Sequence, residues 1–310
     1  MIASPASESV PHFYVSAPVC AEGHGATRSA GCSFRVAWAI NPHMRVGAAD
    51  PERAVRQHGA FVGALRARGA RVDVLPFVHG AYDSVFAKDS AVVIERAGVD
   101  EALLASPLHP ERRAEQRDRR RGLEAAGVRV TSSLPTTLEG GDVVIHSDRD
   151  GQPHAYLGFG FRSERRSAAA LERFLGIPVT PLELRSAVFY HLDTALAGLG
   201  PVTFVCEEAL TAAARSDLER VAGRDRLIPV SSAEARLFAL NFVAVGDAVI
   251  LAKGPRSFER RLGDLGYRAC ALPLTEFQLA GGSAACLVAR AHPLDRVAVK
   301  TTAAIRSTAA

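Results

Sequence analysis

Ala54-Val-Arg-Gln-His-Gly-Ala-Phe-Val-Gly-Ala-Leu-Arg-Ala-Arg-Gly69, followed after Ala70 by Arg71-Val-Asp-Val-Leu-Pro76, sets the reading of the whole chain. Apolar residues recur at helical spacing up to a glycine that stops the helix, and the run behind it alternates as a strand does. The same order of helix, glycine or short break, then strand returns at residues 123–130, 168–180, 209–230 and 258–272, which makes five units. Further strands are expected at residues 91–94, 143–145, 155–158, 202–205, 242–245 and 248–251. The class is α/β, and alternation by itself would suggest a doubly wound parallel sheet. With 310 residues and a hydrophobic fraction of 48%, the chain can bury the core of one large domain or two small ones.

Charge and cysteine usage narrow the setting. The five cysteines, Cys20, Cys32, Cys206, Cys270 and Cys286, are an odd number without framework spacing, which argues against a disulfide scaffold and for a reducing compartment. The N-terminus shows no basic segment leading into an apolar run, and no stretch of ~18 apolar residues occurs, so a soluble cytoplasmic protein is expected. A net charge of +4 is small for this length and does not imply a polyanionic partner. The one basic cluster, residues 109–121, interleaves acidic residues with its arginines, as a solvated helix face does. Neither nucleic acid nor a membrane is expected as a partner.

The chemistry gathers on three segments. Cys286 closes Phe277-Gln-Leu-Ala-Gly-Gly-Ser-Ala-Ala-Cys286, where small residues leave one sulfur as the reactive atom. A thiol with a pKa near ~8.5 needs a base or a cationic neighbour to become a nucleophile. His191, in Phe189-Tyr-His191-Leu-Asp193-Thr194, and Glu139, in Leu138-Glu139-Gly-Gly-Asp142, complete a Cys/His/carboxylate set of the kind recognised by roles rather than chain order. The other four cysteines read as structural. The remaining histidines show no metal-ligand spacing, so no zinc site is expected. Gly158-Phe-Gly-Phe-Arg-Ser163, with Glu183 downstream, imitates a dinucleotide fingerprint, but a serine replaces its third glycine and the unit lies mid-chain.

Taken with Asp83-Ser-Val-Phe-Ala-Lys-Asp89, these segments resemble the guanidino-group-modifying enzymes of the pentein superfamily. The dimethylarginine dimethylaminohydrolases, arginine deiminases and amidinotransferases are members, and the resemblance runs from about Phe34 to Arg290. It implies a five-bladed, pseudo-fivefold α/β propeller of ββαβ modules with the substrate channel at its centre. On that reading residues 35–298 form one catalytic domain, residues 1–34 an N-terminal extension that is a candidate lid, and residues 299–310 a flexible tail. No metal or organic cofactor is implied. The partner is a small guanidino substrate, with a homodimer left open.

The resemblance also assigns roles. A guanidinium is a poor electrophile, so carboxylates must orient it through charge-assisted hydrogen bonds. Asp89 matches the family's guanidinium-binding aspartate, Asp193 stands two residues beyond His191 as in the deiminases and amidinotransferases, and Asp83 matches a position of the dimethylarginine hydrolases. Arg162, and Arg112 or its neighbour Arg113, fall where the family holds the substrate α-carboxylate. The implied reaction is covalent: Cys286 attacks the guanidinium carbon, His191 protonates the departing amine and then activates water, and Glu139 orients the imidazole. Lys88 before Asp89, and Ala284 and Ala285 before Cys286, depart from the relatives and alter the lining. The substrate stays open between dimethylarginine and arginine. The acceptor is water in a hydrolase and an amine in an amidinotransferase, and a non-catalytic pentein-fold binding protein is the third class.

Overall fold

The structure is a computed structural model that describes residues 10–20, 31–131 and 134–294. Its strands are β1 (His12–Ser16), β2 (Arg71–Leu75), β3 (Ala91–Arg96), β4 (Val99–Leu104), β5 (Arg129–Thr131), β6 (Val143–Ser147), β7 (Pro153–Phe159), β8 (Val179–Glu183), β9 (Leu196–Leu199), β10 (Val202–Val205), β11 (Leu227–Pro229), β12 (Val243–Val245), β13 (Ala248–Ala252), β14 (Arg268–Leu272) and β15 (Val288–Pro293). The fold is mixed α/β, and one pairing pattern recurs through it. In three small sheets an antiparallel hairpin is followed by a helix and a third strand parallel to the second. These are β6-β7-β8 around helix Ala168–Leu175, β9-β10-β11 around helix Ala212–Ala222, and β12-β13-β14 around helix Arg256–Asp264.

The fourth sheet, ordered β2-β1-β15-β3-β4-β5, contains the pattern twice more. There β15 and β1 pair antiparallel, and β2 joins β1 in parallel through helix Pro51–Arg66. In the second copy β3 and β4 pair antiparallel, and β5 joins β4 through helix Gln116–Ala125. The two copies are fused where β15 runs parallel to β3. All five helix-then-strand units expected from the sequence form. They do not build a doubly wound sheet, because each helix returns the chain only to its own hairpin.

Local chemistry explains the elements. Helix Pro51–Arg66 starts at Asp50, whose carboxylate accepts from the backbone N–H groups of Glu52 and Arg53 at 2.9 and 3.1 Å, with Pro51 in the first turn. Ala54, Phe61, Val62 and Leu65 form its buried stripe. The β3–β4 hairpin turns through Ala97 and Gly98, both at positive φ (51° and 75°), the twist that a two-residue hairpin favours.

One boundary is corrected. His12–Ser16, expected to lie in a non-periodic extension, is a wholly buried strand inside the largest sheet, between β2 and β15. Buried on both faces, Phe13, Tyr14 and Val15 need no polar alternation to mark them as a strand. Residues 1–9 and 21–30 of the candidate lid, and the tail from residue 299, lie outside the described residues. Among the described residues no helix is long and apolar enough to cross a membrane.

Candidate active site

Each of the five hairpins is entered through a short turn, and each turn carries one polar side chain of the site. Asp89 lies two residues ahead of β3, Asn241 two ahead of β12, and Cys286 two ahead of β15. Glu139 precedes the turn Gly140–Asp142 into β6, and His191 precedes the turn Leu192–Thr194 into β9. Asp89, Glu139, His191, Asn241 and Cys286 thus recur roughly every fifty residues, the period of the structural unit. All are nearly inaccessible to solvent.

Such proximity requires glycine between the segments. A Cβ on Gly141 would collide with the His191 ring and with the Asp89 carboxylate, and one on Gly282 would strike the ring of Phe86. Tyr190 donates its hydroxyl to the carbonyl of Gly281 at 2.8 Å, tying the histidine turn to the segment before Cys286.

The nucleophile candidate is held by two partners. The Asn241 side-chain amide donates to Cys286 Sγ at 3.2 Å, while its oxygen accepts from the backbone N–H groups of Ala285 (3.0 Å) and Cys286 (3.3 Å). The thiol lies 3.7 Å from Asp193 Oδ2 and can donate to it, and Lys88 Nζ reaches the same oxygen at 3.2 Å. Burial and the charges of Asp193 and Asp89 push the Cys286 pKa well above that of an ordinary thiol. The thiol is therefore protonated in the protein alone.

His191 shares its Nε2 proton with Glu139 Oε2 at 3.0 Å, and its Nδ1 stands 3.6 Å from Asp89 Oδ1. Burial alone would lower its pKa, but the Asp89 charge and the Glu139 hydrogen bond outweigh it and raise the imidazole to about 9. Glu139 is held well below the usual carboxyl range in spite of its burial, chiefly by His191 and then Arg162. Its second oxygen accepts from the Leu108 N–H at 3.1 Å, and its own N–H donates to Ser163 Oγ at 3.0 Å. Asp142 closes the frame by accepting from the Ser163 and Leu192 backbone N–H groups at 3.0 and 3.2 Å.

The two arginines expected to meet a substrate carboxylate are turned inward. Arg162 donates to Glu139 at 3.0 Å and to the Ile40 carbonyl at 2.7 Å, with its guanidinium over the Tyr190 ring. Arg112 donates to Asp89 at 3.2 Å, to Glu115 at 2.7 Å and to the Phe86 carbonyl at 3.3 Å. The reason is desolvation: Asp89, Glu115 and Glu139 are buried anions, and a buried anion demands a paired cation. Arg113 donates to the carbonyls of Pro107 and Leu108. Asp83 accepts from the Trp38 indole at 2.6 Å, and burial raises its pKa to about 6.

One oxygen on each of Asp83, Asp89 and Asp193, and Nδ1 of His191, is buried without a hydrogen-bond partner. Asp89, Glu139 and His191 each bring a donor atom within 4.8 Å of the others. Arg112 and Arg162 already pair with the two carboxylates, so this cluster is poorly suited to a metal dication. A separate cavity of about 140 Å³ touches Lys88 and Asp193 but neither Cys286 nor His191, and apolar strand residues line most of it.

Sequence reasoning missed Asn241, Glu115 and the pairing of Lys88 with Asp193. Asn241 was findable from the fifty-residue recurrence, since it fills the place in its unit that His191 fills in the one before. Gly158 to Ser163, the imitation fingerprint, forms the end of β7 and the loop that delivers Arg162 and Ser163 to Glu139.

The chain is similar to known proteins in both sequence and fold. The family profile of N,N dimethylarginine dimethylhydrolase, eukaryotic, matches residues 44–292. The N(G),N(G)-dimethylarginine dimethylaminohydrolase of Mycobacterium tuberculosis is 32% identical over 262 residues, covering 84% of this chain and 83% of that one. The bifunctional arginine dihydrolase/ornithine cyclodeaminase AgrE of Nostoc sp. is also 32% identical over 83% of this chain, which spans only 36% of AgrE's length. Among solved structures, the product-bound N-terminal domain of ArgZ, an arginine dihydrolase of the cyanobacterial ornithine-ammonia cycle, superposes with a TM-score of 0.81 at 28% identity, over 93% of this chain and 99% of that domain. With a profile match over well above half its length and a relative of this identity across most of it, the chain belongs to the dimethylarginine dimethylaminohydrolase family of the guanidino-group-modifying, or pentein, superfamily.

Proposed function

We propose that the protein hydrolyses a guanidino C–N bond of arginine or dimethylarginine, releasing an amine and leaving a ureido product such as citrulline. The observation that carries this reading is the set of three buried aspartate oxygens, on Asp83, Asp89 and Asp193, that lack a donor, two of them on aspartates whose charges act on the buried Cys286 thiol. A planar cation with several N–H groups supplies what those oxygens lack. The five recurring units are the basis for reading the fold as a five-bladed propeller that forms one catalytic domain, with the site at the inner ends of the blades.

In the proposed reaction the entering guanidinium offsets the Asp89 and Asp193 charges that hold Cys286 protonated, so substrate binding favours the thiolate, its proton passing to solvent. The thiolate adds to the guanidinium carbon. His191, protonated at neutral pH, gives its Nδ1 proton to the departing nitrogen, and a thiouronium remains on Cys286. Neutral His191 then takes a proton from water. The hydroxide adds to the same carbon, and collapse expels the thiolate, which takes up the adduct's O–H proton as the ureido C=O forms and so returns to the thiol. Glu139 holds the imidazolium, and Arg162 and Arg112 hold Glu139 and Asp89 in place. A reducing cytoplasm would keep the Cys286 thiol available.

The bare oxygens favour arginine over dimethylarginine, because methylation of one nitrogen removes two of the donors they need. The test is product analysis by mass spectrometry after incubation with arginine and with methylated arginines, each with and without glycine or ornithine. Ammonium or dimethylamine released with a ureido product supports hydrolysis. Transfer of the amidino group to the added amine would replace it with an amidinotransferase.

A further inference from the structure

Away from this centre, three side chains with soft donor atoms meet at the edge of the molecule. Val19 and Ser33 form an antiparallel bridge, and the Cys20 N–H donates to the Cys32 carbonyl at 2.9 Å, so the two cysteines stand directly across from one another. Cys32 Sγ lies 3.2 Å from His79 Nδ1, and one donor atom each of Cys20, Cys32 and His79 lies within 4.8 Å of the other two. The cysteines are half-buried and His79 is exposed, so the group opens to solvent on one side.

We propose that Cys20, Cys32 and His79 form a site for a zinc-class divalent cation, bound by two thiolates and one imidazole with water in the fourth position. Zn²⁺ takes thiolate sulfur at ~2.3 Å and imidazole nitrogen at ~2.0–2.1 Å in a tetrahedron. Donors already within 4.8 Å of each other need only small side-chain rotations to close on one ion. The sequence conceals the site, since the ligands are separated by eleven and by forty-six residues and no spacing motif joins them.

Two further observations fit a ligand set better than a thiol pair alone. Gly31 lies directly against the His79 ring, where a Cβ would collide with it, and the Gly31 carbonyl accepts from the Gly80 N–H at 2.9 Å. The backbone thus delivers the imidazole to the cysteines, a placement that a disulfide would not require. Binding displaces protons from the thiols, so affinity should rise with pH. An ion here would tie the segment that leads to Trp38 to the loop that leads to Asp83, and Trp38 and Asp83 are themselves hydrogen-bonded.

The experiment uses the full chain carrying Cys286→Ser, so that the catalytic thiol cannot act as a ligand, kept anaerobic with a non-chelating reductant. Zn²⁺ is titrated against a chromophoric chelator, and Co²⁺ reports the donors by absorption. Expected are one equivalent of Zn²⁺ per chain, a thiolate-to-cobalt charge-transfer band with intense tetrahedral d–d bands, and a higher melting temperature with Zn²⁺. Cys20→Ser and Cys32→Ser should each weaken binding at least ~10-fold and remove the metal-dependent rise in melting temperature. His79→Ala and Gly31→Ala serve should the cysteine variants fail to fold. Gly31→Ala keeps every donor but displaces the ring, and should also weaken binding. Absence of saturable one-equivalent binding, a cobalt spectrum without thiolate bands, affinity indifferent to these substitutions, or a Cys20–Cys32 disulfide in metal-free protein isolated without reductant would each overturn the proposal.

Discussion

Glu139→Gln keeps the shape of the side chain and removes its charge, and the structure says where that charge acts. His191 donates to Glu139 Oε2 at 3.0 Å and Arg162 donates to the same oxygen. Burial would depress the imidazole, yet its pKa is raised from 6.5 to about 9, a preference for imidazolium of roughly 3 kcal/mol at 1.36 kcal/mol per pH unit. Asp89 and Asp142 supply part of this and Glu139 the rest, so the substitution should lower the His191 pKa by at least about one unit, or roughly 1.4 kcal/mol. The consequence for rate depends on the proton carrier. If His191 is the general acid, wild-type kcat should fall as pH rises through about 9, where the imidazolium loses its proton. In the variant that limb should move to lower pH by at least about one unit, and kcat at neutral pH should fall by roughly 10-fold or more as the roughly 1.4 kcal/mol is lost.

The stability sign follows separately. His191 has a folded pKa raised above its unfolded value, so its contribution is fully present below about 6.5 and is lost as pH rises through about 9. Thermal melts of wild type between pH 6 and 10 should show that decline, and the Glu139→Gln melts a weaker one. The assays are product release across pH, NMR titration of the His191 ring, and the melts. An unmoved basic limb together with an unmoved His191 titration would refute the coupling.

Four further outcomes are expected. Cys286→Ser should lower turnover more than ~1,000-fold with the fold intact, because an alcohol cannot match a thiolate at the guanidinium carbon, while Cys270→Ser should change it little; activity within tenfold of wild type would remove Cys286 as nucleophile. His191→Gln should let the thiouronium accumulate or stop it forming, at a loss of roughly 100-fold or more, and intact-protein mass spectrometry separates the two. Asp193→Ala leaves Lys88 without its 3.2 Å partner and should cost roughly 2–5 kcal/mol in kcat/KM for arginine; retention of the dimethylarginine rate would make Asp193 a substrate selector, and no effect on either substrate would hand its role to Asp83. Gly141→Ala should abolish activity and lower the melting temperature, since the new methyl group occupies the space between His191 and Asp89; a variant as active and stable as wild type would contradict the packing described.

Much of this was legible along the chain, and what was not has a common cause. The five helix-then-strand units were readable because a helix stripe of Ala54, Phe61, Val62 and Leu65 is a local pattern, set by the period of the backbone. Four strands were not. In β4, Val99-Asp-Glu-Ala-Leu-Leu104 places its charges and apolar residues in separate blocks, and β9, Leu196-Ala-Gly-Leu199, has little that is strand-like. β1 and β15 take their state from each other, paired in antiparallel register across most of the chain's length.

The site divides the same way. Cys286, His191, Glu139 and the three aspartates could be named as candidates by residue type and motif, because thiol, imidazole and carboxylate chemistry belongs to the side chain itself. The partners of those groups were not identifiable. Arg112 and Arg162 carry the same charge whether they face a substrate or a buried anion, and burial of Asp89 and Glu139 directs them inward. Asn241 acquires its place beside Cys286, and Cys20, Cys32 and His79 meet, only when turns from distant units converge. The sequence by itself determined most of the elements and the candidate side chains, which depend on near neighbours along the chain. The tertiary structure decided which atoms meet, which charges are buried together and hence which protons are held, because packing and desolvation act between residues far apart in sequence.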